Sequence, residues 1–271
     1  MTGSSVLLYA LLGALQGVVE WFPLSSSGQL SLVLQWAGAT PAEAVSAALW
    51  IHSGSLAAIL LRFRAEFAGM GRSVACALRR GGRCSALASF MIVGTIFTGI
   101  VGIPVYLLLF DWFEANPEGG AFTLLVGILL VITGLALMLG SRLRPGARGA
   151  KDLVWADGAI AGVAQGFAVL PGISRSGFTL ASLLVRRLEK ADALRLSFLL
   201  DAPAILGAMV LTYEGSMVFS MPMVAAVATA FLVSYLSMGG LIGLARRMDL
   251  SRFCILYGSL AAGAAAVQML V

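Results

Sequence analysis

Apolar residues fill most of this chain in long blocks, and charged residues mark where the blocks stop. Six blocks, at 44–61, 85–110, 121–140, 196–213, 222–245 and 253–271, consist almost wholly of apolar and small residues. A helix that crosses a bilayer needs about 17–25 such residues, so each block predicts one spanning helix. Two further blocks, 4–34 and 155–185, are broken near the middle. Pro23, Ser25, Ser26, Ser27 and Gly28 break the first; Pro171, Gly172, Ser174 and Gly177 break the second. Each predicts two half-helices joined by a turn, because irregular backbone at membrane depth survives only inside protein or beside a watery cavity. The predicted fold is an all-α polytopic membrane protein. It has six transmembrane helices and two re-entrant helix–turn–helix hairpins in one membrane domain over 1–271.

Charge sets the orientation. Arg62, Arg64, Arg72, Arg79, Arg80 and Arg83 form one basic segment; Arg142, Arg144, Arg148 and Lys151 form a second. Arg186, Arg187, Lys190 and Arg195 form a third; Arg246, Arg247 and Arg252 form a fourth. Basic loops mark the cytoplasmic side. The connections around Glu43, around Asp111, Glu114 and Glu118, and around Glu214 hold no Lys or Arg and read as external. Block 155–185 lies between two basic segments and so enters and leaves inside. Block 4–34 enters and leaves outside, and both termini are expected outside. It also lacks the basic start of a signal peptide. The expected location is the plasma (inner) membrane, with membrane lipids as neighbours and a homodimer left open.

Composition removes the other classes. Apolar residues make up 59% and charged residues 11%, with mean hydropathy +0.95, against about 45–50% and 25% in soluble domains. The net charge of +5 is therefore orientation chemistry, and no nucleic-acid partner is expected. Cys76, Cys84 and Cys254 do not make a disulfide framework, and with a single histidine they do not make a zinc cluster.

The two broken blocks match at a constant offset. Gly13, Gln16, Gly17, Ser25, Ser27 and Gly28 recur 149 positions later as Gly162, Gln165, Gly166, Ser174, Ser176 and Gly177. Each is followed by three spans. The halves 1–141 and 152–271 thus read as an inverted-topology repeat, whose sites form near the midplane where broken helices meet. Glycine pairs such as Gly13–Gly17 and Gly162–Gly166 allow close helix approach.

Serine at each break signals a helix N-cap, and free N–H groups at a helix start attract anions. Arg175 is the only basic residue outside the four segments. Arginine at this depth costs at least about 2.5–3.5 kcal/mol, and its planar fork suits phosphate oxygens. Glu20, four residues after Gln16, is the acidic counterpart; it holds a cation, activates a nucleophile or pairs with Arg175. Asp201 is a further intramembrane candidate. His52, also 149 positions away, reads as an ordinary polar contact. A lipid with a phosphate or diphosphate head fits such a site, since its tail stays in the bilayer.

These residues resemble the undecaprenyl-diphosphate phosphatase (bacitracin-resistance protein) family. Its motifs, (E/Q)-x-x-x-E and P-G-x-S-R-S-x-x-T, stand here as Gln16-x-x-x-Glu20 and Pro171-Gly172-Ile173-Ser174-Arg175-Ser176-Gly177-Phe178-Thr179. The stretch 197–203 is similar too. The resemblance implies hydrolysis of a polyprenyl diphosphate to the monophosphate, recycling the carrier for cell-wall synthesis. It implies a site open to the outer face and a divalent cation (Mg or Ca), with Glu20 as metal ligand or base. Arg175 would clamp the diphosphate, and Ser26 would attack or orient water. Gln16, Ser25, Ser27, Gln29, Ser174, Ser176 and Thr179 would bind substrate, with Asp201 and Gln165 behind them. One position departs: the family usually carries His where this chain has Gln29. The alternative is a polyprenyl-phosphate carrier or flippase, with Asp201 coupling an ion.

Overall fold

A computed structural model describes residues 5–22, 24–115, 119–142, 146–213, 219–245 and 251–270. Ser4, Pro23, Glu118, Arg144, Glu214, Arg246, Arg247 and Val271, all used in the sequence reading, lie outside the described residues.

The first broken block folds as α1 (Val6–Val19) and α2 (Ser26–Trp36). After it come α3 (Pro41–Arg62), α4 (Arg64–Arg80), α5 (Ala86–Ala115) and α6 (Gly119–Arg142). The second block folds as α7 (Trp155–Gly166), a short 3₁₀ turn (Phe167–Val169) and α8 (Arg175–Val185). It is followed by α9 (Lys190–Leu211), α10 (Met221–Ala245) and α11 (Ser251–Leu270). Five of these, α3, α5, α6, α9 and α10, are long and apolar enough to cross a membrane; the apolar stretch of α11, Cys254–Val267, is shorter. Local chemistry explains several boundaries. Thr40 and Glu43 form a reciprocal cap on α3, with Pro41 in its first turn. Ser174 Oγ accepts from the Gly177 N–H at the start of α8, at 3.2 Å.

One expectation is corrected. The first basic segment reads as a loop in the sequence, but it folds as helix α4. Phe63, Phe67, Met70 and Val74 recur at helical spacing and pack on the core. Its arginines Arg72, Arg79 and Arg80 stay exposed, and Gly81 closes the helix at φ +66°.

Both broken blocks turn back on themselves. Asp157, in the first turn of α7, meets Arg186, just past α8, at 2.8 Å, and Arg148 closes the same carboxylate at 2.6 Å. In the first block Tyr9 and Leu12 of α1 share a core cluster with Leu30 and Leu34 of α2. The two turns then touch tip to tip. Ser25 Oγ accepts from the Gly172 N–H at 3.0 Å. A side chain on Gly28 would come within 2.8 Å of Gly172 N. The contact bends both backbones into the left-handed region, Ser25 at φ 56° and Gly172 at φ 107°. Thr133 of α6 secures the second tip, donating to Gly172 O at 3.1 Å and accepting from Ser174 N at 3.0 Å.

Packing around the hairpins is reciprocal: α1 lies along α10 and α7 lies along α5. The glycine pairs make this possible within one chain. A β-carbon on Gly13 would sit 2.1 Å from Ala226 O, and one on Gly162 would sit 2.3 Å from Gly94 O. The obstacle in each case is backbone, which yields little. Gly162→Leu is expected to lower stability by about 3 kcal/mol or more. The checks are a lower melting temperature in detergent and loss of monodisperse protein.

Candidate active site

The touching tips place the first turns of α2 and α8 together. Ser26 opens α2 and Arg175 opens α8, and the two are 149 positions apart in the sequence. Around them stand Glu20 from the end of α1, His52 from α3 and Asp201 from α9. His52 and Asp201 are again 149 apart.

Glu20 is the hub. One carboxylate oxygen accepts from Ser26 Oγ at 2.6 Å and from Gln16 Nε2 at 2.8 Å, and lies 3.3 Å from His52 Nε2. The other oxygen is paired with the Arg175 guanidinium. His52 Nε2 is also 3.1 Å from Ser26 Oγ, while its Nδ1 lies 2.7 Å from Ala48 O. A carbonyl only accepts, so Nδ1 carries the proton and the neutral ring keeps its lone pair on Nε2, facing Ser26. Arg175 Nε lies 2.9 Å from Asp201 Oδ1, without the alignment of a hydrogen bond. Arg175 Nε and both Asp201 oxygens thus have no hydrogen-bond partner although they are buried. Two carboxylates flank one guanidinium, and the guanidinium holds donor capacity in reserve. Trp21, fully buried, packs edge-on against Phe198 at 5.3 Å and ties the first tip to α9.

A polar crevice of about 30 Å³ opens among these groups, room for a water or two by order of magnitude. Glu20, Ser25, Ser26, Ser27, His52, Ser174, Arg175 and Ser176 line it. The remaining residues named from the sequence stand apart from its lining. Gln16 lies behind Glu20 and also donates to Ser55 Oγ at 3.2 Å. Gln165 joins Thr98 Oγ1 at 3.2 Å to Leu200 O at 3.1 Å. Thr179 is fully buried, with its hydroxyl unpartnered. Gln29 donates to Leu24 O at 2.9 Å and closes the first turn. Ser174 is occupied as a helix cap.

His52 is the residue that sequence reasoning undervalued. Its shared offset with Asp201 was the available signal. Its approach to Ser26 depends on how α3 crosses the first tip, which no local pattern reports.

The donors do not form a site for a resident divalent cation. Among the described residues no group of three or more His, Cys, Asp or Glu is placed to hold a metal. Both oxygens of Glu20 are engaged, and Arg175 sits between the two carboxylates where a cation would bind. No step below passes through a metal.

Residues 9–263 match the family described as Bacitracin resistance protein BacA. The chain belongs to the BacA family. Among its relatives, a Methanothrix thermoacetophila protein named undecaprenyl-diphosphatase is 39% identical over 252 residues, covering 92% of both chains. A Methanopyrus kandleri protein of the same name is 39% identical over 257 residues, covering 93% of both. A Pyrobaculum aerophilum protein, also so named, is 31% identical over 255 residues, covering 93% of this chain and 94% of the relative. Family membership and the five long apolar helices make this BacA chain a multi-pass membrane protein. Both sequence motifs of the BacA resemblance meet at the crevice, one through Glu20 and the other through Arg175.

Proposed function

We propose that this chain hydrolyses undecaprenyl diphosphate, or a similar polyprenyl diphosphate, to the monophosphate and inorganic phosphate, so recycling the lipid carrier. The observation that carries the reading is a serine hydroxyl between a carboxylate and an imidazole, beside a buried arginine. Nucleophile, base and orienting group within hydrogen-bond reach make an activated serine. The arginine supplies the positive charge that phosphoryl transfer requires.

The diphosphate binds by drawing the Arg175 guanidinium from Glu20 onto its oxygens, with the Ser176 hydroxyl and the free N–H groups of the tips as further donors. Ser26 Oγ attacks the terminal phosphorus. The bond to the bridging oxygen breaks, and the prenyl monophosphate leaves with that oxygen. The Ser26 proton passes to His52 Nε2, and Glu20 stabilises the imidazolium 3.3 Å away. His52 hands that proton to the departing phosphate. Water then attacks the phosphoserine and gives its proton to His52, which returns it to Ser26 Oγ as inorganic phosphate leaves.

We further place both hairpins as re-entrant, the halves 1–141 and 152–271 as an inverted repeat, and the chain in the plasma membrane with both termini outside. Like faces of α1 on α10 and α7 on α5 support the repeat. The carboxylate Asp157, tying the start of α7 to the end of α8, supports entry and exit on one side.

The test is phosphate release by purified protein given farnesyl diphosphate. Steady turnover is expected. A folded sample that releases none overturns the reading. If proteoliposomes also move lipid phosphate between leaflets without hydrolysis, the carrier reading takes its place.

A further inference from the structure

The reciprocal packing fails at one seam. On one side α3 packs closely against α10, and Gly54 is the reason: a β-carbon there would lie 2.4 Å from Val227 O and 2.7 Å from the Ala230 β-carbon. The position 149 residues later, on α9, is Pro203. Its ring adds bulk where Gly54 has none and removes a backbone donor. The matching pair, α9 and α5, is parted. The two helices are bridged near one end by Gln165, which joins Thr98 to Leu200 O, and near the other by Tyr106, whose hydroxyl donates to Leu211 O at 3.2 Å.

Between those bridges lies a cavity of about 440 Å³, within the roughly 300–1,000 Å³ of small-molecule sites. Gly99, Gly102 and Ile103 of α5 face Ala204, Gly207 and Val210 of α9 across it. Its inner end is formed by Leu49, Ala168 and Arg175, and the same three residues line the polar crevice. Past Thr95, Pro203 and Leu206 it adjoins a second apolar cavity of about 490 Å³ against α4. An apolar trough that ends on the guanidinium has the layout of an amphiphile: charged head at Arg175, hydrocarbon in the seam.

We propose that the α5–α9 seam is the binding site for the prenyl chain, and that the lipid enters through it sideways from the bilayer. This rests on the diphosphatase reading for the identity of the head. Sideways entry keeps hydrocarbon out of water along the whole path. It also explains an asymmetry that has no purpose in a purely structural bundle.

Gly99 and Gly207 offer a clean test. A β-carbon on Gly207 meets nothing within 4 Å, and one on Gly99 meets only the Ile103 methyl at 4.0 Å. Gly99→Leu and Gly207→Leu therefore fill the trough without straining the fold. Gly240→Leu, on α10, likewise meets nothing within 4 Å and serves as control. Hydrolysis of farnesyl diphosphate is compared with that of isopentenyl diphosphate, which has the same head and little tail. Small apolar changes in a pocket shift discrimination by about 10–200-fold. Each trough variant should raise KM for farnesyl diphosphate at least about tenfold while keeping kcat/KM for isopentenyl diphosphate within about twofold, and the control should change neither. Unchanged farnesyl KM in both trough variants overturns the seam while leaving the diphosphatase reading intact. If the wild type hydrolyses neither compound, that reading fails separately. A photoactivatable prenyl monophosphate then decides the seam: labelling confined to α5 and α9 supports it, and labelling spread over other helices overturns it.

Discussion

Arg175→Ala is expected to lower phosphate release by about 10³-fold or more, the scale on which a single arginine acts in phosphoryl transfer. Arg175→Lys should recover only part, because a point charge does not reproduce the planar fork. The alanine variant also strands Glu20 and Asp201, both buried, without their cation. Breaking a buried pair costs about 3–5 kcal/mol, so lost activity alone would not separate catalysis from folding. A triple variant, Arg175→Met with Glu20→Gln and Asp201→Asn, removes the three charges together. Because it strands no charge, it should keep a melting temperature nearer the wild type and still be inactive. If Arg175→Ala retained activity within a few-fold, the guanidinium would be a staple between the hairpins and not an anion clamp.

The second large effect is expected at His52. His52→Gln keeps a polar side chain in α3 but takes no proton at the position facing Ser26. General-base contributions run to about 10²–10⁴-fold, and a loss of kcat in that range is expected. The pH–rate profile should change with it. A neutral imidazole accepts a proton and an imidazolium does not, so wild-type activity falls on the acid side. In His52→Gln that limb should vanish. A profile that keeps its acid limb would assign the base to another group. Gln29→His should not rescue this variant, because position 29 is turned toward Leu24 O at the turn and does not line the crevice. The resemblance leads one to expect a histidine at position 29; here the imidazole that reaches Ser26 comes from α3.

Much of the architecture could be read without coordinates, and particular residues show why. The breaks at Ser25 and Ser174 were legible because a serine N-cap and the glycine and proline around it act within one turn of chain. Glu20 and Arg175 stood out because a lone charge in an apolar block is costly, and that cost is visible in one dimension. Helix α4 was missed because arginines dominate its composition, while the stripe Phe63, Phe67, Met70 and Val74 has periodicity a charge count ignores. His52 was undervalued for a different reason. Its partner Ser26 lies 26 residues earlier, and nothing in either segment states their distance.

What the sequence determined by itself was the solvent of each segment, the place of each break and the residues too polar to be idle. Those properties follow from local hydropathy, local capping and the cost of burying charge. Only the tertiary structure decided that Glu20 joins Ser26, His52 and Arg175 in one crevice. It alone decided that one seam is sealed at Gly54 while its counterpart at Pro203 stands open. These outcomes depend on backbones touching where glycine permits it, between helices far apart in the chain, and close packing of that kind has no one-dimensional signature.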